Sequence, residues 1–126
     1  MDYELARFVA WIATDAHDVS LVDEVKGLTF IEYAEFALVQ INGGEQVLVK
    51  GGRKGVLFEL DSDGHMLIAT PSGSRRVTAL LWHTHPIPTG PSDHDRGVLR
   101  LLGQAESLIY EINGEVGGTR IYWQSR

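Results

Sequence analysis

Leu80-Leu81-Trp82-His83-Thr84-His85-Pro86, followed after Pro91 by Ser92-Asp93-His94-Asp95, is the stretch on which the reading of this chain turns. An apolar run with strand character delivers two histidines one residue apart. Side chains at i and i+2 of a strand point to the same face, so His83 and His85 aim two imidazoles into one pocket. Ser92-x-x-Asp95 directly after Pro91 reads as a helix start. Ser92 is its N-cap, and Asp95 is a carboxylate near the positive end of the helix. A carboxylate arriving there completes a three-donor site with one open position, which is how catalytic zinc is usually held.

Working outward, 92–103 reads as a helix with Val98, Leu101 and Leu102 on one side and Gly103 as its C-terminal cap. Upstream, 76–82 is the strand that delivers His83, preceded by a turn at 71–74 and a strand at 65–70. Asp61-Ser62-Asp63-Gly64 has the start of a calcium loop but no acid where the bidentate ligand belongs, so it is read as a plain turn. Further back lie strands at 56–60, 46–50 and 35–41. Asn42-Gly43-Gly44 turns between the last two. Gly51-Gly52-Arg53-Lys54-Gly55 lacks phosphate-loop spacing and reads as a basic hairpin tip.

In residues 3–14, Leu5, Phe8, Val9 and Ile12 follow i, i+3, i+4, i+7 spacing, and the expectation is an amphipathic helix widened by Trp11. Residues 15–18 form its exit, with His17 a solvated helix-end histidine. A short helical or irregular piece runs to Lys26-Gly27, and 28–31 lead onward. His65 reads as a surface histidine. Strands at 108–112 and 120–123 flank a glycine-rich loop at 113–118. The order predicts one α+β domain spanning 1–126, with a mostly antiparallel sheet flanked by helices.

Bulk properties narrow the function. The chain has 126 residues, 44% of them hydrophobic and 22% charged, ordinary values for a domain able to bury a core. A net charge of -6 argues against nucleic acid or an anionic membrane as a partner. Cysteine is absent, so thiolate metal sites and disulfides are excluded and any metal falls to His, Asp or Glu. Met1-Asp2-Tyr3-Glu4 lacks a basic leader region and no apolar run approaches 18 residues, so the expectation is a cytoplasmic protein.

A strand ending in His83-Thr84-His85-Pro86, a loop containing Pro and Gly, and a helix opening with Ser92-Asp93-His94-Asp95 together resemble the JAMM (MPN+) metalloprotease family, in its compact prokaryotic form. Here six residues, 86–91, separate His85 from Ser92, one fewer than is usual for that family. The resemblance implies the JAB/MPN, cytidine-deaminase-like fold with its curved sheet. It also implies one zinc ion per chain held by His83, His85 and Asp95, with His94 as the substitute ligand if the short loop displaces Asp95. Ser92 would donate a hydrogen bond to the oxyanion. The family's catalytic glutamate stands at the start of an early strand. Glu32 fits that offset, and Glu35 is the alternate base, of opposite parity in an extended segment. Glu45 and Glu59 fit worse.

The activity implied is zinc-dependent hydrolysis of a peptide or isopeptide bond in a protein or peptide substrate, with a ubiquitin-like tail among the substrates of such enzymes. The alternatives are a catalytically silent binding or scaffold module on the same fold, and a regulatory or immunity-type domain that binds zinc without hydrolysis.

Overall fold

The computed structural model describes residues 2–112 and 119–125; the loop expected at 113–118 lies outside the described residues. Its elements in order are β1 (Tyr3–Leu5), β2 (Arg7–Ile12), α1 (Val19–Glu32), β3 (Phe36–Ile41), β4 (Gln46–Lys50), β5 (Gly55–Leu57), β6 (Glu59–Leu60), β7 (Met66–Thr70), β8 (Gly73–His85), α2 (Asp93–Leu102), β9 (Glu106–Ile112) and β10 (Thr119–Ser125). The main sheet runs β10-β9-β8-β3-β4-β2, and β7 pairs with the first part of β8. Its pairings are antiparallel except for β8 beside β9. The architecture is mixed, with two helices among the described residues and a mostly antiparallel sheet.

Both faces of this sheet are covered, which explains why β3 is apolar almost throughout. Ala37, Val39 and Ile41 turn to one side, where they meet Val47, Val49, Leu80 and the α2 residues Val98 and Leu99. Phe36 and Leu38 turn to the other, against Leu48, Trp82 and the α1 residues Val22 and Val25. The 3.6-residue repeat puts Val22, Val25 and Thr29 on the buried side of α1. Trp82 is fully buried, as its place in an apolar strand suggests, and donates its indole N–H to Ala16 O at 2.7 Å.

A relay of hydroxyls fastens α1 to the sheet. Phe36 N–H donates to Thr84 Oγ1 at 3.0 Å, the two threonine oxygens Thr84 Oγ1 and Thr29 Oγ1 stand 2.7 Å apart, and Thr29 donates to Val25 O at 2.8 Å. Thr84 therefore faces α1, while its neighbours His83 and His85 face α2.

Register irregularities decide that orientation. Leu38 pairs with Trp82 but Val39 pairs with Leu80, leaving Leu81 as an extra residue in β8. A bulge re-aims every side chain beyond it. Without it, Leu80 would share a face with Trp82; with it, Leu80, His83 and His85 all look toward α2.

The structure corrects the helix expected at 3–14. This segment forms β1 and β2, and β2 alternates half-buried Phe8, Ala10 and Ile12 with exposed Arg7, Val9 and Trp11. The helical spacing of Leu5, Phe8, Val9 and Ile12 yields to a strand because β4, buried on both faces, takes a second strand along its free edge. The β-branched and aromatic residues of this stretch suit a strand as well. The first helix instead begins after Asp18, which caps Leu21 N at 3.0 Å, and runs through 28–31 to Glu32. The strand expected at 56–60 is split into β5 and β6.

Candidate metal centre

Five side chains, from β8, α2, β9 and the lead into β3, converge on the α2 side of the sheet. Ala37 of β3 pairs with His83 of β8, so two residues further along each strand Glu35 and His85 come alongside. The backbone of Glu35 is pinned on both sides, its N–H donating to Gly52 O at 2.8 Å and its C=O accepting from Gly51 N–H at 2.9 Å. Gly51 is required there, because a Cβ would lie 2.6 Å from Val56 Cγ2 and 2.8 Å from Gly55 O. The parallel neighbour β9 sets Glu111 opposite His85.

Helix α2 brings the remaining carboxylate. Ser92 is its N-cap, and a reciprocal capping box joins Asp95 N–H to Ser92 Oγ at 3.1 Å and Ser92 N–H to Asp95 Oδ2 at 3.0 Å. Capping and site duty therefore fall on one side chain. The short loop does not carry Asp95 away from the histidines.

His83 Nε2 and His85 Nε2 stand 3.0 Å apart. Asp95 Oδ1 is 3.3 Å from His83 Nε2, Asp95 Oδ2 is 3.3 Å from His85 Nε2, and Glu35 Oε2 is 3.6 Å from His85 Nε2. Glu35, His83, His85 and Asp95 are all buried, and their donor atoms lie within 4.8 Å of one another. Donors bound at 2.0–2.1 Å to a tetrahedral ion are separated by about 3.3 Å. The group is thus able to hold a metal ion. A cavity of about 20 Å³, lined by Glu35, His83, Asp95, His94 and apolar neighbours, adjoins it. That is room for roughly one water-sized sphere.

The protonation states describe the same point from the electrostatic side. Burial pushes the Glu35 carboxyl up to about 8, against the pull of His85 and with the help of Asp95 and Glu111. Burial favours neutral His85, but its hydrogen bond with Asp95 and the charges of Glu35 and Asp95 prevail and raise it to about 9. Burial lowers His83. For Asp95, burial acts upward, yet the hydrogen bonds from both histidines hold its carboxyl well below the usual range. Protons sit where a cation would otherwise satisfy the carboxylates.

His83, His85 and Asp95 are brought together as the motif spacing suggests, and Ser92 stands at the edge of the group as the N-cap. Glu32 is not brought to it. It is the last residue of α1, on the surface, paired with Lys50 Nζ at 2.5 Å. The glutamate that enters the cluster is Glu35. His94 is outside the donor set: its Nε2 is 2.9 Å from Val56 O and its ring packs edge-on against Tyr3.

Glu111 was not among the candidates. Its only trace in the sequence is a single acid in the apolar run Leu108-Ile109-Tyr110-Glu111-Ile112. A second grouping, Asp61, Asp63 and His65, is the expected turn: Asp61 Oδ1 accepts from the N–H groups of Asp63 and His65. No family model, curated protein or solved structure gives a significant match to this chain. Among the described residues no helix is long and apolar enough to cross a membrane.

Proposed function

We propose that the chain is a zinc-dependent peptidase or isopeptidase of the JAMM type, on a JAB/MPN-like fold, acting on a protein or peptide substrate such as a ubiquitin-like tail. The observation that carries this reading is the convergence at metal-ligand separations of His83, His85 and Asp95, from positions matching the motif, with Glu35, the alternate base. Two imidazoles and a carboxylate suit zinc in the absence of cysteine. His83, His85 and Asp95 would hold the ion, which supplies an activated water nucleophile and polarises a carbonyl.

The chain's own residues do the rest. With its proton displaced once a cation is held, the Glu35 carboxylate takes a proton from the attacking water and returns it to the leaving amine nitrogen. Ser92 Oγ already accepts from Asp95 N–H, so its own hydrogen is free to be donated to the oxyanion.

The test is cleavage of a fluorogenic peptide and isopeptide library by zinc-loaded protein. Wild type is expected to cleave and to stop on chelation. Glu35→Gln is expected to lose about 10²- to 10⁴-fold in rate, the usual worth of a general base. Glu32→Gln, altering only the surface pair with Lys50, should stay within a few-fold. Full activity in Glu35→Gln would remove the base from the reading.

The second reading, a silent binding or scaffold module, draws on the burial of all four donors and the small cavity beside them. A structural metal is enclosed in this way. Zinc bound without hydrolysis of any library member would favour this reading or the regulatory, immunity-type one.

A further inference from the structure

Glu111 is fully buried, and a buried carboxyl calls for an explanation. One oxygen, Oε2, receives two contacts: His85 Nδ1 at 2.9 Å and the N–H of Gly90 at 2.5 Å. The other, Oε1, has no hydrogen-bond partner among the described residues. An unpartnered buried oxygen costs stability, and the adjacent Ile109 and Ile112 show that an apolar residue suits this strand. Packing alone does not account for an acid here.

Its contacts point to the metal centre. An acceptor at Nδ1 places the His85 hydrogen there and leaves the Nε2 lone pair directed at His83, Asp95 and Glu35. The same oxygen holds Gly90, which adopts φ +71°, a left-handed conformation that favours glycine. Gly90 lies in the short loop between His85 and Ser92, so one carboxyl orients a donor and fixes the loop leading to Asp95.

We propose that Glu111 is a positioning residue of this centre, setting the tautomer of His85 and anchoring the 86–91 loop so that His85 and Asp95 meet one ion. The inference rests on the metal-site reading above and adds a residue that the motif does not contain.

The experiment measures Zn²⁺ affinity by competition with a chromophoric chelator, and the Co²⁺ absorption spectrum, for wild type, Glu111→Gln and Glu111→Leu, with far-UV circular dichroism as the control for folding. Glu111→Gln retains one acceptor oxygen in place of two. It is expected to stay folded, bind one ion and lose about 10- to 100-fold in affinity, the usual cost of removing such a partner. Glu111→Leu is expected to lose at least as much and to alter the Co²⁺ bands. Wild-type affinity and spectrum in folded Glu111→Gln would overturn the proposal while leaving the metal site standing. Affinity lost only in step with folded structure would make Glu111 structural and overturn it too. A wild type that binds no Zn²⁺ would remove the metal reading and this inference with it.

Discussion

Glu35 and His85 hold their protons to high pH in the metal-free protein, and this has a measurable consequence. A carboxyl raised from its ordinary value to about 8 removes stability as pH climbs from the unfolded value toward 8, because the unfolded chain ionises freely and the folded one resists. A histidine raised to about 9 contributes stability that is complete below the unfolded value near 6.5 and lost as pH rises through 9. Both act in the same direction between pH 6.5 and 8. Metal-free protein is expected to lose stability, on the order of a few kcal/mol, between pH 6 and 9 in urea titrations. Zinc affinity should rise over the same range, since the ion displaces those protons. A metal-free protein equally stable at both pH values would contradict this assignment. His83 and His85 were legible because i, i+2 spacing in a strand puts them on one face, and Asp95 because the His-Thr-His-Pro and Ser-x-x-Asp pattern resembles the family's motif. The base was legible only as a pair, Glu32 by the family's offset with Glu35 as the alternate, and the structure divides them by where the preceding helix ends. Tyr33, in the left-handed conformation at φ 51°, closes the helix one residue after Glu32 and leaves that side chain outside.

Helix α1 shows why that boundary was misplaced. Lys26-Gly27 looks like a helix end, yet Gly27 lies within α1 and a Cβ there would meet nothing within 4 Å. A glycine inside a helix is tolerated at a cost of about 0.5–1 kcal/mol relative to alanine. Gly27→Ala is therefore expected to stabilise the protein by roughly that amount, read from the denaturation midpoint. Destabilisation would mean that position 27 is a left-handed cap and that the helix stops there. The α2 cap, by contrast, was readable in full: Ser92 and Gly103 occupy the ends expected of them. Strands β1 and β2 were hidden because their spacing satisfies a helical period while their pairing with β4 is a long-range event. The bulge at Leu81 is equally absent from local pattern, and it determines which face receives the histidines.

Seen whole, the molecule is a sheet covered on both faces whose α2 side gathers donors from β8, the lead into β3 and the start of α2. The α+β class and the mostly antiparallel sheet were readable from strand and turn signals. The strand order was not, because β8 pairs with β3, β7 and β9 along different parts of its length. An ion held by Glu35, His83, His85 and Asp95, or by three of them, would tie together parts of the chain that meet only in the folded state. The most direct measurement is the metal content of protein purified without chelator, for wild type and Asp95→Ala. The expected result is about one zinc per chain in wild type and its loss in the variant, since removing one of three protein ligands opens the site. Wild type that takes up no zinc even when it is supplied, or a variant that keeps it, would contradict the central claim.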